Sequence, residues 1–308
     1  AVLESAWRDQ QAVQPLDLAL VVEGFKPQSY LLSHVANEYL SLRDINERPS
    51  RLALAAFLYV AGDREVREYR REDAKLFVHH LTKKGNKTAT IRRRINSMSA
   101  ILNYAYSELD VDKRNPFSRL FIKGEGQDSK TRGTFSTDQL ISGYQQAFSS
   151  SSSLRLLFPI LGETGCRLAE VVGLRQEDVN WDDQVLHIRP NDKRRLKTPS
   201  SERSIPLTPT AFKALRLVAG ETDRDWLFPR YIKEDGCYTT HASNALGKWM
   251  HPQWGMTAHS LRHTFRDRLR AAEVPLEAID QLGGWSSVSN AGSKYGAGYS
   301  VEHLRVLM

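Results

Sequence analysis

Two His-x-x-Arg pairs follow one another directly, His259-Ser260-Leu261-Arg262 and His263-Thr264-Phe265-Arg266. On a helix, residues three apart share a face, so either pair can aim an imidazole and a guanidinium at one anionic group. With nine histidines in the chain, about one such pair is expected by chance, so the motif decides nothing alone. A third arginine, Arg167, lies in Thr164-Gly165-Cys166-Arg167-Leu168-Ala169-Glu170. Gly165 permits a sharp turn just before a helix, which puts Arg167 near a helix N-terminus, where amide N–H groups and a guanidinium hold phosphate oxygens well. Glu170, one turn on, can orient an Arg or His; the plainer reading is a surface pair worth roughly 0.2–0.5 kcal/mol. Lys197 sits in a loop able to reach over a ligand, with Lys193 as a competitor. A solvated loop lysine is the ordinary fate of either. Finally, Leu282-Gly283-Gly284-Trp285 and a run of small residues lead to Lys294-Tyr295-Gly296-Ala297-Gly298-Tyr299. A tyrosine between Gly and Ser neighbours suits the core poorly and suits a nucleophile that must swing into a site, although either tyrosine alone could be a plain surface residue.

The elements that must position these groups read mainly as helices. Leu31, Val35 and Leu42 mark one over about 30–43, Pro49 fits the first turn of a second that runs to Gly62, and a third covers about 72–83. In the fourth, Thr88 can serve as the cap, and Ile91, Ile95, Met98, Ile101, Leu102 and Ala105 form one apolar stripe. From Asn115-Pro116 to about Gly133 the pattern dissolves into Pro, Gly and charge, the composition of a linker. Beyond it, Ser136 caps a helix, the serines 149–153 read as a loop, and Leu154–Leu161 reads as a buried helix. Val185–Ile188 and Ser204–Leu207 read as a hairpin around a basic loop, with Pro206 suited to an edge. Helices follow at about 209–219, 240–250, 259–272, 276–282 and 300–307, the last a candidate to dock on a neighbouring copy. The expected fold is mainly α with a small antiparallel β-sheet, in two domains. Its parts are a leader over 1–29, a helical domain over 30–115, a linker over 116–133 and a second domain over 134–308.

Composition narrows the partners. The net charge is +7, and Arg outnumbers Lys 29 to 14; Arg grips phosphate bidentately, which favours nucleic acid. Residues 83–132 carry 12 Lys and Arg against 5 Asp and Glu, a net of +7 in this stretch alone. Within it, Lys83, Lys84, Lys87, Arg92, Arg93 and Arg94 lie in a run with no acidic residue, and Lys123, Lys130 and Arg132 extend the basic character through the linker. A helix with a dry side and an all-basic wet side is the electrostatic footprint of a phosphate-backbone binder. Two cysteines, Cys166 and Cys237, with no CxxC, suit a reducing compartment without disulfides. No apolar run reaches the ~20 residues that cross a bilayer, so no membrane partner is expected. The opening Ala1-Val2-Leu3-Glu4 has no basic or apolar signal region and no initiator Met, as in a trimmed cytoplasmic chain. No carboxylate cluster, His pair or P-loop offers a place for a metal or a nucleotide, so no cofactor is expected.

Taken together, the ordered set Arg167, Lys197, His259, Arg262, Trp285 and Tyr295 resembles the active-site pattern of the tyrosine recombinases, or phage-type integrases. The surrounding words match as well: Thr164-Gly165-Cys166-Arg167 through Val171, Lys197-Thr198 leading to Ile205-Pro206-Leu207, and His259-Ser260-Leu261-Arg262-His263-Thr264-Phe265, which fixes the register on His259. The likeness is strong over about 134–308 and weaker over 30–115, where it implies the family's helical core-binding domain. Trp285 stands where His is commoner, two glycines precede it, and Tyr299 rivals Tyr295. The ten-residue offset from Trp285 favours Tyr295.

The resemblance implies a site-specific recombinase or integrase of a bacterial or phage-borne element. Tyr295 would attack a DNA phosphodiester to leave a covalent 3′-phosphotyrosine, Arg167 and Arg262 would neutralise the phosphate oxygens, His259 would assist proton removal, and Lys197 would protonate the departing 5′-oxygen. Trp285 would hold a phosphate oxygen or brace Tyr295, with Glu170 as support behind them. Neither metal nor ATP is implied. The partner would be double-stranded DNA at a specific recombination site, engaged as a homotetramer, with the free protein monomeric. The competing readings are a catalytically silent architectural DNA-binding protein on the same fold and a type IB-like nicking-closing enzyme.

Overall fold

The structure is a computed structural model that describes residues 30–129, 133–222, 224–285 and 298–308. The chain divides into two compact units between Lys130 and Thr131.

Among the described residues, the first unit holds four helices: α1 (Leu32–Ser41), α2 (Arg48–Ala61), α3 (Arg71–Lys83) and α4 (Thr88–Glu108). Each buries one stripe. On α1 it is Leu32, Val35, Ala36, Tyr39 and Leu40; on α4 it includes the expected Ile91, Ile95, Met98, Ile101, Leu102 and Ala105. Phe57 meets Tyr69, Phe77 and Phe117 at centroid distances of 5.1, 5.5 and 5.1 Å, separations at which tilted and edge-on rings attract. Phe117 belongs to the stretch expected as a linker, and so do Leu120 and Ile122; all three are buried in this core. Arg71 holds the same stretch through the carbonyls of Pro116 at 2.7 Å and Arg119 at 3.1 Å. The segment that follows α4 is therefore part of the helical unit, and its Pro and Gly content reflects turns. Thr88 is also corrected: it is the first helical residue, with Lys87 at the cap position. Its N–H and hydroxyl both donate to the Asp128 carboxylate, so a distant acid satisfies the helix start.

The second unit packs α5 (Thr137–Phe148), α6 (Ser153–Thr164), α7 (Leu168–Val172), α8 (Pro209–Gly220), α9 (Thr239–Trp254), α10 (Ala258–Ala271), α11 (Leu276–Gly283) and α12 (Val301–Leu307) around small antiparallel sheets. Ser136 caps α5, accepting from the Gln139 amide at 3.2 Å. The strands β2 (Val185–Ile188) and β3 (Arg203–Pro206) pair antiparallel with Leu186 opposite Ile205. A two-residue strand the sequence did not signal, β1 (Val179–Asn180), lines the other side of β2, which leaves β3 and its Pro206 at the expected edge. A second unforeseen hairpin, β4 (Ile232–Lys233) with β5 (Gly236–Cys237), completes the unit. Buried α6 is central to the core. The terminal helix α12 packs within its own unit, with Leu304 fully buried in this core.

Candidate active site

Gly165 sets the first corner of the site. It ends α6 in the left-handed conformation at φ 61°, and a Cβ there would stand 2.2 Å from the Phe265 ring of α10. Only glycine allows both the turn and this close approach. The turn places Arg167 at the cap position of α7, and the Gly165 carbonyl accepts from Nη1 of Arg262 on α10. Arg167 Nη1 donates to Glu170 Oε1 at 2.6 Å and to Ser201 Oγ at 2.9 Å, while Nη2 reaches the Gly284 carbonyl at 3.2 Å. One side chain thus joins α7, the β2–β3 loop and the end of α11.

Glu170 is buried and pairs not only with Arg167 but with a second arginine. Its Oε2 accepts from the Arg167 amide at 2.9 Å and from Arg203 Nη2 at 2.9 Å. Burial pushes its carboxyl up, but Arg203 and Arg167 more than offset this and hold it below the usual carboxylate range. Arg203 is the residue that sequence reasoning missed. A signal for it existed, since alternation along β3 puts Arg203 on the face of buried Ile205 and Leu207.

Arg262 is buried, and its guanidinium lies 4.1 Å from the centroid of the Trp285 ring. Arg266, one turn on, lies 4.6 Å from the same ring and pairs with Asp280 at 3.0 Å. The two glycines before Trp285 now have a physical reason. A Cβ on Gly283 would stand 1.7 Å from the indole, and one on Gly284, at φ 62°, would stand 2.8 Å from Arg203 Nη1. Burial, then Arg167, push the Arg262 guanidinium down to about 10, so it remains a cation at neutral pH at an electrostatic cost. Its Nη2 is buried with no hydrogen-bond partner among the described residues. Arg167, Arg203 and Arg262 thus gather around one carboxylate, Glu170, and a buried donor points at no acceptor. An oxyanion supplies both the missing charge and the missing acceptor.

His259 precedes Arg262 by one turn of α10 and is exposed; its ring meets that of His263 edge-on at 4.8 Å. Lys197 is exposed on the β2–β3 loop. Its neighbour Thr198 is pinned to Ser201 at 2.9 Å, and Ser201 in turn to Arg167. Lys193 faces elsewhere, donating from Nζ to the Glu234 carbonyl of the β4–β5 hairpin at 2.8 Å. Tyr295 lies outside the described residues. Its rival Tyr299 is half-buried and anchored: its N–H and C=O both bond the Gln281 side chain, at 2.9 and 2.8 Å, and its ring stacks on His303.

In the first unit, Lys83, Lys84, Lys87, Arg93 and Lys123 are exposed and Arg94 is half-buried. Arg92 departs from expectation: Nε and Nη2 both donate to the Glu125 carboxylate at 2.6 Å, and Nη2 also to the Leu120 carbonyl at 2.9 Å. The acid that balances it comes from 33 residues further on, beyond the reach of helix-face reasoning. Lys130 and Arg132 lie outside the described residues. Among the described residues, no group of three or more His, Cys, Asp or Glu side chains stands where it could hold a metal ion, and no helix is long and apolar enough to cross a membrane.

Residues 135–300, more than half of the chain, match the Phage integrase family. The chain belongs to the phage integrase family. Membership makes it a tyrosine recombinase, a DNA strand-transferase of site-specific recombination, as the motif order implied. The tyrosine recombinase XerD of Oceanobacillus iheyensis is 25% identical over 233 residues, covering 71% of this chain and 75% of the relative. XerD of Rhizobium meliloti is 24% identical over 238 residues, covering 71% and 73%. Among solved structures, a lambda integrase tetramer bound to a Holliday junction superposes with a TM-score of 0.68 at 16% identity, over 94% of this chain and 86% of the other. The Tn1549 transposon integrase in complex with a circular intermediate DNA gives 0.67 at 18% identity, over 85% and 93%. At these identities the structures establish the fold, which is the mainly helical one expected.

Proposed function

We propose that this chain cuts and rejoins duplex DNA at a specific site through a covalent 3′-phosphotyrosine on Tyr295. The observation that carries this reading is the cluster of Arg167, Arg203 and Arg262 near the one buried carboxylate Glu170, with a buried guanidinium nitrogen of Arg262 that has no hydrogen-bond partner among the described residues. That arrangement suits a phosphodiester. Arg167 and Arg262 neutralise the non-bridging oxygens as charge builds in the pentavalent transition state. The Tyr295 hydroxyl oxygen bonds to phosphorus, the bond to the 5′-oxygen breaks, and Lys197 delivers a proton to that oxygen while His259 helps remove the tyrosine proton. Trp285 acts mainly on Arg262, by packing against its guanidinium. One phosphoester replaces another, so the return step onto a 5′-hydroxyl needs no ATP. The anchoring of the Tyr299 backbone by Gln281 favours Tyr295 over Tyr299 as the nucleophile.

The exposed lysines and arginines of the first unit are assigned to the phosphate backbone. The partner is double-stranded DNA carrying a specific recombination site, on a bacterial or phage-borne element in the cytoplasm. Assembly on DNA is assigned as a tetramer, by analogy with the lambda integrase tetramer. A duplex nicked near the cut site loses its 5′-hydroxyl fragment after attack and so traps the intermediate. The protein should form a DNA adduct that survives a denaturing gel. A shift seen only on native gels would indicate a silent DNA-binding protein. Relaxation of supercoiled plasmid without any specific site would indicate a nicking-closing enzyme.

A further inference from the structure

Arg203 is buried, and among the described residues each polar contact of its guanidinium goes to a segment that carries or adjoins a candidate site residue. Nε donates to the Leu282 carbonyl at 2.7 Å, three residues before Trp285. Nη1 donates to the Ser201 carbonyl at 2.6 Å, in the loop that carries Lys197. Nη2 donates to Glu170 Oε2 at 2.9 Å and reaches Cys166 Sγ at 3.4 Å, on either side of Arg167 in the chain. Gly284 closes the arrangement: a Cβ there would meet Arg203 Nη1 at 2.8 Å and the Ser200 carbonyl at 3.1 Å. A buried guanidinium is not needed for stability as such, because apolar residues of similar volume commonly serve a core as well or better. What a planar five-donor group provides is direction, fixing three partners at set angles, which a single ammonium does not reproduce.

We infer that Arg203 is a positioning residue for strand cleavage, locking the Arg167–Glu170 pair, the Lys197 loop and the Trp285 end of α11 into one geometry without touching DNA itself. The inference rests on the functional reading above. It divides labour among the three clustered arginines: Arg167 and Arg262 face the phosphate, and Arg203 holds the frame. Small displacements of reacting groups are costly in rate and nearly invisible in binding, so the signature is a split between the two.

The test measures duplex affinity and single-turnover cleavage of the nicked duplex for the unaltered protein, Arg203→Lys and Arg203→Met, with a thermal melt to verify folding. Arg203→Lys keeps the charge beside Glu170 and forfeits the directed contacts to the Ser201 and Leu282 carbonyls. It should bind duplex as the unaltered protein does and cleave about 10²-fold more slowly. Arg203→Met should be slower still; if it does not fold, the Lys variant carries the test alone. Cleavage by Arg203→Lys at the unaltered rate, or a loss of binding in proportion to cleavage, overturns the assignment. Absence of any adduct with the unaltered protein is a different result and overturns the functional reading instead.

Discussion

The Arg262 guanidinium lies over the Trp285 ring, 4.1 Å from its centroid, with Arg266 against the same ring at 4.6 Å. The pair explains how a tryptophan serves at a position where the resemblance leads one to expect histidine. Its indole face packs against a buried cation whose Nη2 has no hydrogen-bond partner among the described residues. A cation over an indole is worth about 0.5–2 kcal/mol, and misplacing Arg262 adds to that. Trp285→Ala should therefore slow cleavage by about tenfold or more, since 1.36 kcal/mol is a factor of ten, and Trp285→Phe should recover part of the rate. Single-turnover cleavage of the two variants checks this; equal rates for both would point to the indole N–H rather than the ring face.

Removing a guanidinium from the cluster should cost more. Arg167→Ala and Arg262→Ala are each expected to lower the cleavage rate on the order of 10²–10³-fold. Arg262→Ala should do so with little loss of fold stability, because the side chain sits buried beside like charges and one of its nitrogens has no partner among the described residues. Rate and melting temperature, measured together, separate the two effects.

Glu170 gives the site a pH signature. Burial raises its carboxyl, Arg203 and Arg167 lower it further than burial raises it, and the folded value lies below the ordinary one. A carboxylate depressed in the fold adds stability above its unfolded pKa, about 4.3, and that contribution fades as pH falls through the folded value. Glu170→Gln should thus melt below the unaltered protein at neutral pH, with the gap narrowing as pH falls through about 4 and below. A gap that stays constant down the acid range contradicts this account of the carboxylate.

The basic helical unit divides into free and engaged cations. Arg92 is paired with Glu125 in a half-exposed bridge at 2.6 Å, of a kind worth about 0–1 kcal/mol. Arg92→Ala should trim stability slightly and leave the salt dependence of DNA binding nearly unchanged. Replacing Lys83, Lys84 and Lys87 by Ala should lower the slope of log affinity against log salt by roughly one for each lysine that touches a phosphate. Binding titrations across a salt series check both.

How far the sequence reached can be seen residue by residue. Periodicity placed the helices: Ile91, Ile95 and Met98 are buried as their spacing implied, whereas on α1 the buried stripe runs through Leu32, Val35 and Tyr39, and Leu42 of the expected stripe is exposed just past the helix end. The turn at Gly165 and the cap at Arg167 followed from local chemistry too. Besides the short strands β1, β4 and β5, three features did not, and these three are side-chain contacts between distant segments. Phe117 and Ile122 left the expected linker for the helical core because aromatic rings of α2 and α3 receive Phe117. Glu125 and Asp128 turned back on the basic helix. Arg203 joined Glu170 across 33 residues and Leu282 across 79. Strand alternation marked Arg203 as inward-facing, but no local rule names the partners of an inward cation.

The central claim is that one tyrosine becomes covalently joined to DNA phosphorus beside the arginine cluster. The most direct measurement is mass spectrometry of the trapped protein–DNA adduct after digestion to peptides and short nucleotides. The account predicts a nucleotide remnant on Tyr295, no adduct from Tyr295→Phe despite normal duplex binding, and an unaltered yield from Tyr299→Phe. A remnant on Tyr299, or duplex binding without any covalent species, would contradict it.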